Sequence, residues 1–153
     1  HVRSRRQRQM CIRDSVYGNN YVEDFFMNKL ITSDHDYFQE IQDMRVSSHL
    51  YIKRTGETIQ FVPLNMRAWH AGESSFKGIK DCNNFSIGIE LEGTDCDVYS
   101  NEQYESLIKI SRLIIKNYPE TNKKNIVGHS DISPGRKTDP GNKFEWRRYL
   151  DAL

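Results

Sequence analysis

The chain has 153 residues, of which 37% are hydrophobic and 28% are charged, and its formal net charge is +1. This composition is typical of a single folded domain and excludes a disordered or collagen-like chain. Because no apolar run approaches the roughly 18 residues of a membrane-spanning helix, we expect no membrane partner.

The positive charge is concentrated at the start of the chain. Residues 1–15 contain five arginines and one aspartate, whereas the rest contains 17 basic and 20 acidic residues. A basic arm can bind nucleic acid or a membrane surface. However, residues 8–15 read RQMCIRDS, which resembles translated adapter sequence at the ends of assembled reading frames. We therefore expect residues 1–15 to be a non-native tail, residues 16–153 to form the domain, and no nucleic acid to be bound.

Two short amphipathic helices and a hairpin are predicted in the first part of the domain. Tyr21, Phe25 and Phe26 follow helical spacing, and so do the apolar residues at positions 37, 38, 41 and 44. Residues 49–62 change to strand-like alternation on either side of a polar stretch that contains Gly56. This pattern predicts a β-hairpin.

A long loop and a half-buried strand are predicted next. Residues 63–80 have no periodicity, and loops of this length are uncommon unless they are functional or disordered. In residues 86–92 apolar and polar side chains alternate strictly, with Glu90 on the polar side. The alternation predicts a strand with one buried face and one polar face.

The last third of the chain predicts mostly helix. Residues 101–116 carry an apolar stripe, Ser100 and Gln103 form a capping-box signature, and Pro119 follows the stripe. We expect a short strand at residues 126–127, a loop over 130–142 and a closing helix over 143–153. Together these elements predict one mixed α/β domain in which a central β-sheet is flanked by helices.

One histidine and one aspartate are candidate metal ligands. His129 follows the predicted short strand, and Asp139 lies ten residues later in a turn rich in proline and glycine. Zinc accepts imidazole and carboxylate ligands at about 2.0–2.2 Å. The spacing alone favours a plainer alternative, a surface histidine and an aspartate that caps a turn.

Two further residues could take part in hydrolysis. Glu90 lies on the polar face of its strand beside Gly88, which leaves open space, so its carboxylate could act as a general base toward water. A solvated strand face is an equally good interpretation. Lys137 precedes Asp139 by two residues and could stabilise negative charge on a carbonyl oxygen, although a solvated lysine is the plainer alternative.

Four segments resemble a known family when they are taken together. They are VSSH at 46–49, RAWHAG at 67–72, NFSIGIELEGTD at 84–95 and GHSDISPGRKTDPG at 128–141. They resemble, in this order, the zinc-dependent N-acetylmuramoyl-L-alanine amidases of the peptidoglycan-recognition superfamily. The branch that acts on 1,6-anhydromuramyl peptides in the cytoplasm is the most similar.

The resemblance implies a mixed sheet flanked by helices and hydrolysis of the amide between muramic acid and L-alanine, in cell-wall recycling. It implies one Zn²⁺ held by two histidines and one aspartate, a muropeptide partner, a monomeric protein and a cytoplasmic location. An odd count of three cysteines without paired spacing is consistent with a reducing compartment and indicates no disulfide framework. The implied site residues are His129 and Asp139 as zinc ligands, Glu90 as the acid/base, Lys137 for the oxyanion, Trp69 as a wall for the sugar and Arg45 for a peptide carboxylate.

The chain departs from the family pattern at one position. The family's first zinc histidine ends an apolar first strand, and its place falls on Arg8, which no apolar strand precedes. We therefore expect one strand and one of three ligands to be missing, and zinc binding and activity to be weak or lost, because metal affinity depends on the number of ligands. The alternative function is a non-catalytic peptidoglycan-binding module.

Overall fold

The structure is a computed structural model that describes residues 18–34 and 36–153, so the predicted tail lies outside the described residues. The helices and strands are, in chain order, α1 (Tyr21–Phe26), α2 (Asp36–Ile41), β1 (Leu50–Ile52), β2 (Thr58–Gln60), β3 (Ser75–Phe76), β4 (Ile79–Lys80), β5 (Ile89–Leu91), α3 (Asn101–Asn117), α4 (His129–Ile132) and α5 (Trp146–Asp151). Three short 3-10 helices span Thr32–Asp34, Cys82–Asn84 and Lys123–Asn125. In this part of the chain, none of the helices has the length and apolar character needed to cross a bilayer.

The central sheet has three strands in the order β2-β1-β5. β1 and β2 form the predicted antiparallel hairpin, and β5 pairs with β1 in parallel, with Tyr51 opposite Glu90. Since side chains alternate along a strand, Tyr51 and Glu90 share one face of the sheet, and Ile52 and Leu91 share the other. The register therefore separates a core face from the face that carries Glu90.

The core face of the sheet packs on an aromatic cluster. Ile52 is fully buried, and Ile89 and Leu91 pack against the same cluster, whose other buried members are Tyr99, Tyr104, Leu107, Phe144 and Tyr149. These residues come from α3, α5 and the segments next to them. The mixed α/β class is confirmed. The predicted absence of a first strand concerns residues outside the described ranges, within which β5 is an edge of the sheet.

Helix α3 begins at the predicted capping box. Ser100 Oγ accepts a hydrogen bond from Gln103 N at 3.1 Å, and Gln103 Oε1 accepts one from Ser100 N at 3.0 Å. The Gln103 amide nitrogen also donates to the carbonyl oxygen of Glu92 at 2.8 Å, so this helix start is fastened to the end of β5. The cap thus joins the start of the helix to the residue that follows the strand carrying Glu90.

Two elements of the loop regions differ from the expectation. The predicted loop at 63–80 contains the β3–β4 hairpin, whose two-residue turn is formed by Lys77 (φ 49°) and Gly78 (φ 83°). A lysine rarely adopts this left-handed conformation, which is why the turn is not evident in the sequence. Residues 126–127 form no strand. Instead Asp131 Oδ2 accepts a hydrogen bond from Gly128 N at 2.7 Å, and this bond starts α4 at His129.

The closing helix and the cysteines also differ in detail. The helix is shorter than predicted, because it begins only at Trp146. Cys82 is a buried free thiol, whereas Cys96 is disulfide-bonded, which the odd cysteine count and the lack of paired spacing did not predict.

Candidate active site

His129 is the first residue of α4, and both nitrogens of its imidazole have partners. Nδ1 lies 3.0 Å from Oδ2 of Asp139, and Nε2 lies 2.9 Å from the carbonyl oxygen of Ala71. A carbonyl oxygen only accepts, so Nε2 donates to Ala71 and Nδ1 is the nitrogen that faces the Asp139 carboxylate. Two acceptors at this distance repel unless a proton or a metal cation lies between them. The pair is thus arranged to hold a cation.

Arg136 supports the same orientation of the imidazole. Its Nη2 donates to the carbonyl oxygen of Ala71 at 2.5 Å and to Ser133 Oγ at 2.7 Å, and its Nε donates to the carbonyl oxygen of Glu73 at 3.1 Å. Nη2 lies 3.2 Å from Nε2 of His129, and both atoms donate to the same carbonyl. Sequence reasoning missed Arg136 because it acts mainly through backbone atoms, which leave no pattern in the sequence.

A buried asparagine fixes the backbone that supports His129. Asn83 Oδ1 accepts hydrogen bonds from His70 N at 3.0 Å and from Ala71 N at 2.8 Å. The side chain of Asn83 therefore sets the direction of the Ala71 carbonyl, which in turn orients the imidazole. Outer partners of this kind commonly hold a metal-binding histidine in place. Sequence reasoning missed Asn83 as well, since only its burial marks it.

Asp139 stays ionised at neutral pH. Burial acts to raise the pKa of its carboxyl, but the hydrogen bond to His129 and the charges of His129 and Lys137 outweigh burial, so the pKa lies below its ordinary value. A carboxylate beside an imidazole fits the donor chemistry of a zinc site.

Glu90 has the opposite character. Its side chain is partly exposed, but many protein atoms surround the carboxyl and remove part of its hydration. This desolvation is the largest cause that raises the pKa of the carboxyl to about 7. The negative charge of Asp139 adds to the rise, while Lys137 and His129 oppose it. A carboxyl with a pKa near neutrality is suited to accept and then return a proton.

Glu92, which points to the same side of the strand as Glu90, has a structural role. The two carboxylate oxygens of Glu92 accept hydrogen bonds from Gly18 N at 2.9 Å and Arg54 N at 2.8 Å. The same strand face thus carries one glutamate bonded to the backbone and, two residues earlier, Glu90 facing the site. The strand alternation in the sequence predicted the shared face but not this difference.

The imidazole of His70 occupies the space beside Gly88. A Cβ at Gly88 would overlap Cγ of His70 and lie 2.5 Å from its Nδ1. Because residues 88 and 90 point to the same side of the strand, the ring lies on the face that carries Glu90. Burial is the main cause that lowers the pKa of His70, to about 4, so the ring is neutral. A backbone hydrogen bond joins it to Ser86, and within the described residues its buried Nε2 has no partner.

Lys137 lies in the same cluster, where its positive charge acts on both Glu90 and Asp139. Its side chain is exposed and forms no ion pair within the described residues. The structure therefore brings together four of the six predicted site residues, His129, Asp139, Glu90 and Lys137.

Trp69 and Arg45 lie on the surface outside this cluster. The indole of Trp69 is 55% exposed and stacks against the guanidinium of Arg67, whose Cζ lies 4.0 Å from the ring centroid. Trp69 directly precedes His70 in the chain. Arg45 is exposed and donates to Asn28 Oδ1 at 2.7 Å, and within the described residues no hydrogen bond or ion pair joins it to the four clustered residues.

The described residues contain two candidate metal ligands and no cluster of three histidine, cysteine or acidic side chains. The place of the third ligand, at Arg8, lies outside the described ranges. His129 Nδ1 and Asp139 Oδ2 fit two positions of a zinc site, because the two atoms face each other at 3.0 Å and are of the types that zinc accepts.

The sequence and the fold match proteins of known activity. The family described as N-acetylmuramoyl-L-alanine amidase matches residues 16–142. The 1,6-anhydro-N-acetylmuramyl-L-alanine amidase AmpD of Haemophilus influenzae is 51% identical over 137 residues, which cover 90% of this chain and 74% of that protein.

Two solved structures also match. The crystal structure of a selenomethionine derivative of AmpD superposes with a TM-score of 0.88 at 43% identity, covering 92% of this chain and 78% of that one. The amidase AmiD of Escherichia coli, solved in complex with anhydro-N-acetylmuramic acid-L-Ala-D-γ-Glu-L-Lys, has a TM-score of 0.68 at 32% identity, covering 76% of this chain and 51% of that one.

Proposed function

Since the chain belongs to the N-acetylmuramoyl-L-alanine amidase family, we propose that it hydrolyses the amide between 1,6-anhydro-N-acetylmuramic acid and L-alanine in muropeptides during peptidoglycan recycling. The observation that carries this proposal is the convergence of His129, Asp139, Glu90 and Lys137 from separate segments. The relatives named as AmpD carry out this reaction by name, and AmiD was solved with an anhydromuramyl peptide as its substrate.

Glu90 and Lys137 would perform the proton and charge steps. The Glu90 carboxylate accepts a proton from the attacking water and then delivers it to the nitrogen of the departing L-alanine, a role that a pKa near 7 suits. The ammonium of Lys137 stabilises the negative charge that develops on the scissile carbonyl oxygen. The positive charge of Lys137 acts on the Glu90 carboxyl, which supports a role for both groups at one reacting centre.

His129 and Asp139 would hold a Zn²⁺ ion. When bound, zinc would polarise the scissile carbonyl and lower the pKa of the attacking water. The role of the protein is to keep Nδ1 of His129 and the carboxylate of Asp139 directed at one point, through the Ala71 carbonyl and its partners. The amount of zinc per chain in wild type and in His129→Ala tests this part of the proposal, and equal zinc content in the two would contradict it.

Trp69 and Arg45 would bind the two ends of the substrate. The exposed indole offers a flat wall for a sugar ring, while the stacked Arg67 supports its other side. Arg45 would pair with a peptide carboxylate. Weaker binding of the muropeptide by Trp69→Ala, without a change in fold, would support the first role, and Arg45→Ala tests the second in the same assay.

The reaction itself is tested with purified anhydromuramyl-L-alanine peptides. Because one of three zinc ligands is expected to be missing, we expect this chain to release little free peptide, as measured by mass spectrometry, and a protein with the first strand and its histidine restored to release more. Glu90→Gln in the restored protein should bind without cleavage. Binding without cleavage by the restored protein itself, in the presence of zinc, would instead favour the alternative, a non-catalytic peptidoglycan-binding module. The presence of both Glu90 and Lys137 at the candidate metal ligands favours catalysis.

We also propose that the protein acts as a monomer in the cytoplasm, where anhydromuropeptides are recycled. Support for this location comes from the resemblance to the cytoplasmic branch of the family. Light scattering of the purified chain and fractionation of expressing cells test the two statements separately.

A further inference from the structure

In the loop that carries Asp139, the residues before and after Asp139 both form hydrogen bonds to another segment. The hydroxyl of Thr138, just before it, donates to Oδ2 of Asp95. The carbonyl oxygen of Pro140, just after it, accepts a hydrogen bond from the hydroxyl of Tyr99 at 3.0 Å. Both partners belong to the segment that follows β5, so the loop is fixed relative to the strand that carries Glu90.

The same loop is also fastened beside His129. The backbone carbonyl of Asp139 accepts a hydrogen bond from Ser130 N at 3.0 Å. The ring of Pro140 packs on Gly128, where an added Cβ would lie 2.8 Å from Cδ of the proline. The residues before and after His129 therefore both contact the segment that presents the carboxylate.

Close backbone packing brings the loop against the main chain of Asp95. A Cβ at Gly141 would overlap the carbonyl oxygen of Asp95, and its φ of +80° is one that other residues rarely adopt. The two segments thus touch through their main chains, in addition to the Thr138 hydrogen bond.

Tyr99 is a rigid donor in this arrangement. It is 9% exposed, and its ring meets that of Phe144 edge-on at 5.5 Å between centroids. Burial raises the pKa of the phenol well above its ordinary value, with further contributions from Glu90, Asp95 and Asp139, so the hydroxyl keeps its proton. The phenol therefore donates to the Pro140 carbonyl throughout the physiological pH range.

We propose that Asp95, Tyr99 and Thr138, here called the Asp139 clamp, hold the Asp139 carboxylate against His129 and thereby set the affinity of the site for zinc. The proposal rests on the zinc centre of the proposed function. The clamp residues are positioning residues, because they act on Pro140 and on the loop rather than on metal or substrate. They also couple the metal-binding loop to the segment that follows Glu90.

A matched pair of substitutions at the exposed Thr138 tests the clamp. Thr138→Val keeps the shape but removes the donor to Asp95, whereas Thr138→Ser keeps the hydroxyl. Changes in outer partners of metal ligands typically weaken binding 10–100-fold, so we expect the zinc dissociation constant to rise about 10-fold in Thr138→Val and to change less than about 2-fold in Thr138→Ser. Calorimetric titration with zinc measures both. Equal constants in wild type and both variants would overturn the proposal.

Hydrogen exchange in the metal-free protein separates the clamp from the zinc centre. The Ser130 amide donates to Asp139, so its exchange should be about 5-fold faster in Thr138→Val, the equivalent of one hydrogen bond, and unchanged in Thr138→Ser. If wild type binds no zinc, as the expected loss of the third ligand would cause, the exchange rates alone decide the clamp. Equal rates in the two variants would refute it.

Tyr99→Phe gives an independent variant on the other side of Asp139. The phenyl ring preserves the packing on Phe144 but leaves the Pro140 carbonyl without its donor. We expect weaker zinc binding, as in Thr138→Val, while the melting temperature of the chelator-treated protein shows whether the core remains intact. Wild-type zinc affinity in a folded Tyr99→Phe protein would count against a positioning role for Tyr99.

Discussion

Nε2 of His129 donates to the carbonyl of Ala71, so Nδ1 is the nitrogen that faces the carboxylate of Asp139. In a protein without a ligand this is an unfavourable contact unless the imidazole is protonated. A bound cation converts it into two coordinate bonds. The orientation of the imidazole, fixed by a backbone carbonyl, thus leaves Nδ1 and the carboxylate to share either a proton or a metal cation.

Asp139→Asn tests this arrangement directly. The amide keeps the size of the side chain but loses the negative charge, so zinc binding should weaken by more than about 100-fold, the upper range for changes in outer partners of a ligand. Zinc content and amidase kcat/KM should fall together. Asp151→Asn is the matched control, because Asp151 is exposed and, among the described residues, forms an ion pair only with Arg147. Equal losses in the two variants would show that the effect is not specific to the site.

Glu90 should make stability depend on pH in the metal-free protein. Its pKa is raised to about 7 in the folded chain from an ordinary value of 4.5. The folded state therefore binds the proton more tightly, and the stability contributed by the protonated form is present below pH 4.5 and is lost as the pH rises toward 7. We expect Glu90→Gln to gain stability relative to wild type over this interval, measured by urea unfolding with chelator present. A stability difference that stays constant with pH would contradict the raised pKa.

Glu92→Gln should behave differently although it lies on the same face. The Glu92 carboxylate accepts backbone hydrogen bonds from Gly18 and Arg54, and a neutral amide satisfies these two donors less well. Hydrogen bonds to charged groups contribute about 1.5–3 kcal/mol each, so we expect Glu92→Gln to lower the free energy of unfolding by about 2 kcal/mol at neutral pH. Urea unfolding measures the change. Stability equal to that of Glu90→Gln would refute the division of roles between the two glutamates.

The sequence predicted those features that arise from local patterns. The capping box at Ser100 and the alternation around Glu90 are confirmed by direct contacts and register. The β3–β4 hairpin was missed because its turn places Lys77 in a left-handed conformation. The strand predicted at 126–127 was wrong because the Asp131 side chain caps a helix that starts at His129.

The site was predictable in its residues but not in its supports. Motifs in the sequence predicted four residues of the candidate site, because a motif specifies the types of side chain and their order. These residues are His129, Asp139, Glu90 and Lys137. The Ala71 carbonyl that orients His129 was not, since any residue at position 71 presents a carbonyl. Asn83, Arg136 and Tyr99 likewise act through backbone atoms brought together only by the fold.

Gly88→Ala tests the packing of His70 against the strand face that carries Glu90. The added methyl group would overlap the imidazole, which must shift along the strand face that carries Glu90. Overpacking of this kind costs about 1–3 kcal/mol, so both the melting temperature and kcat/KM should fall. His70→Ala in the same chain makes room for the methyl group, and the double variant should therefore be more stable than additivity of the two single changes predicts. Urea unfolding measures the free energy of unfolding of both single variants and of the double variant. If the change in the double variant equals the sum of the two single changes, His70 does not occupy the space beside Gly88.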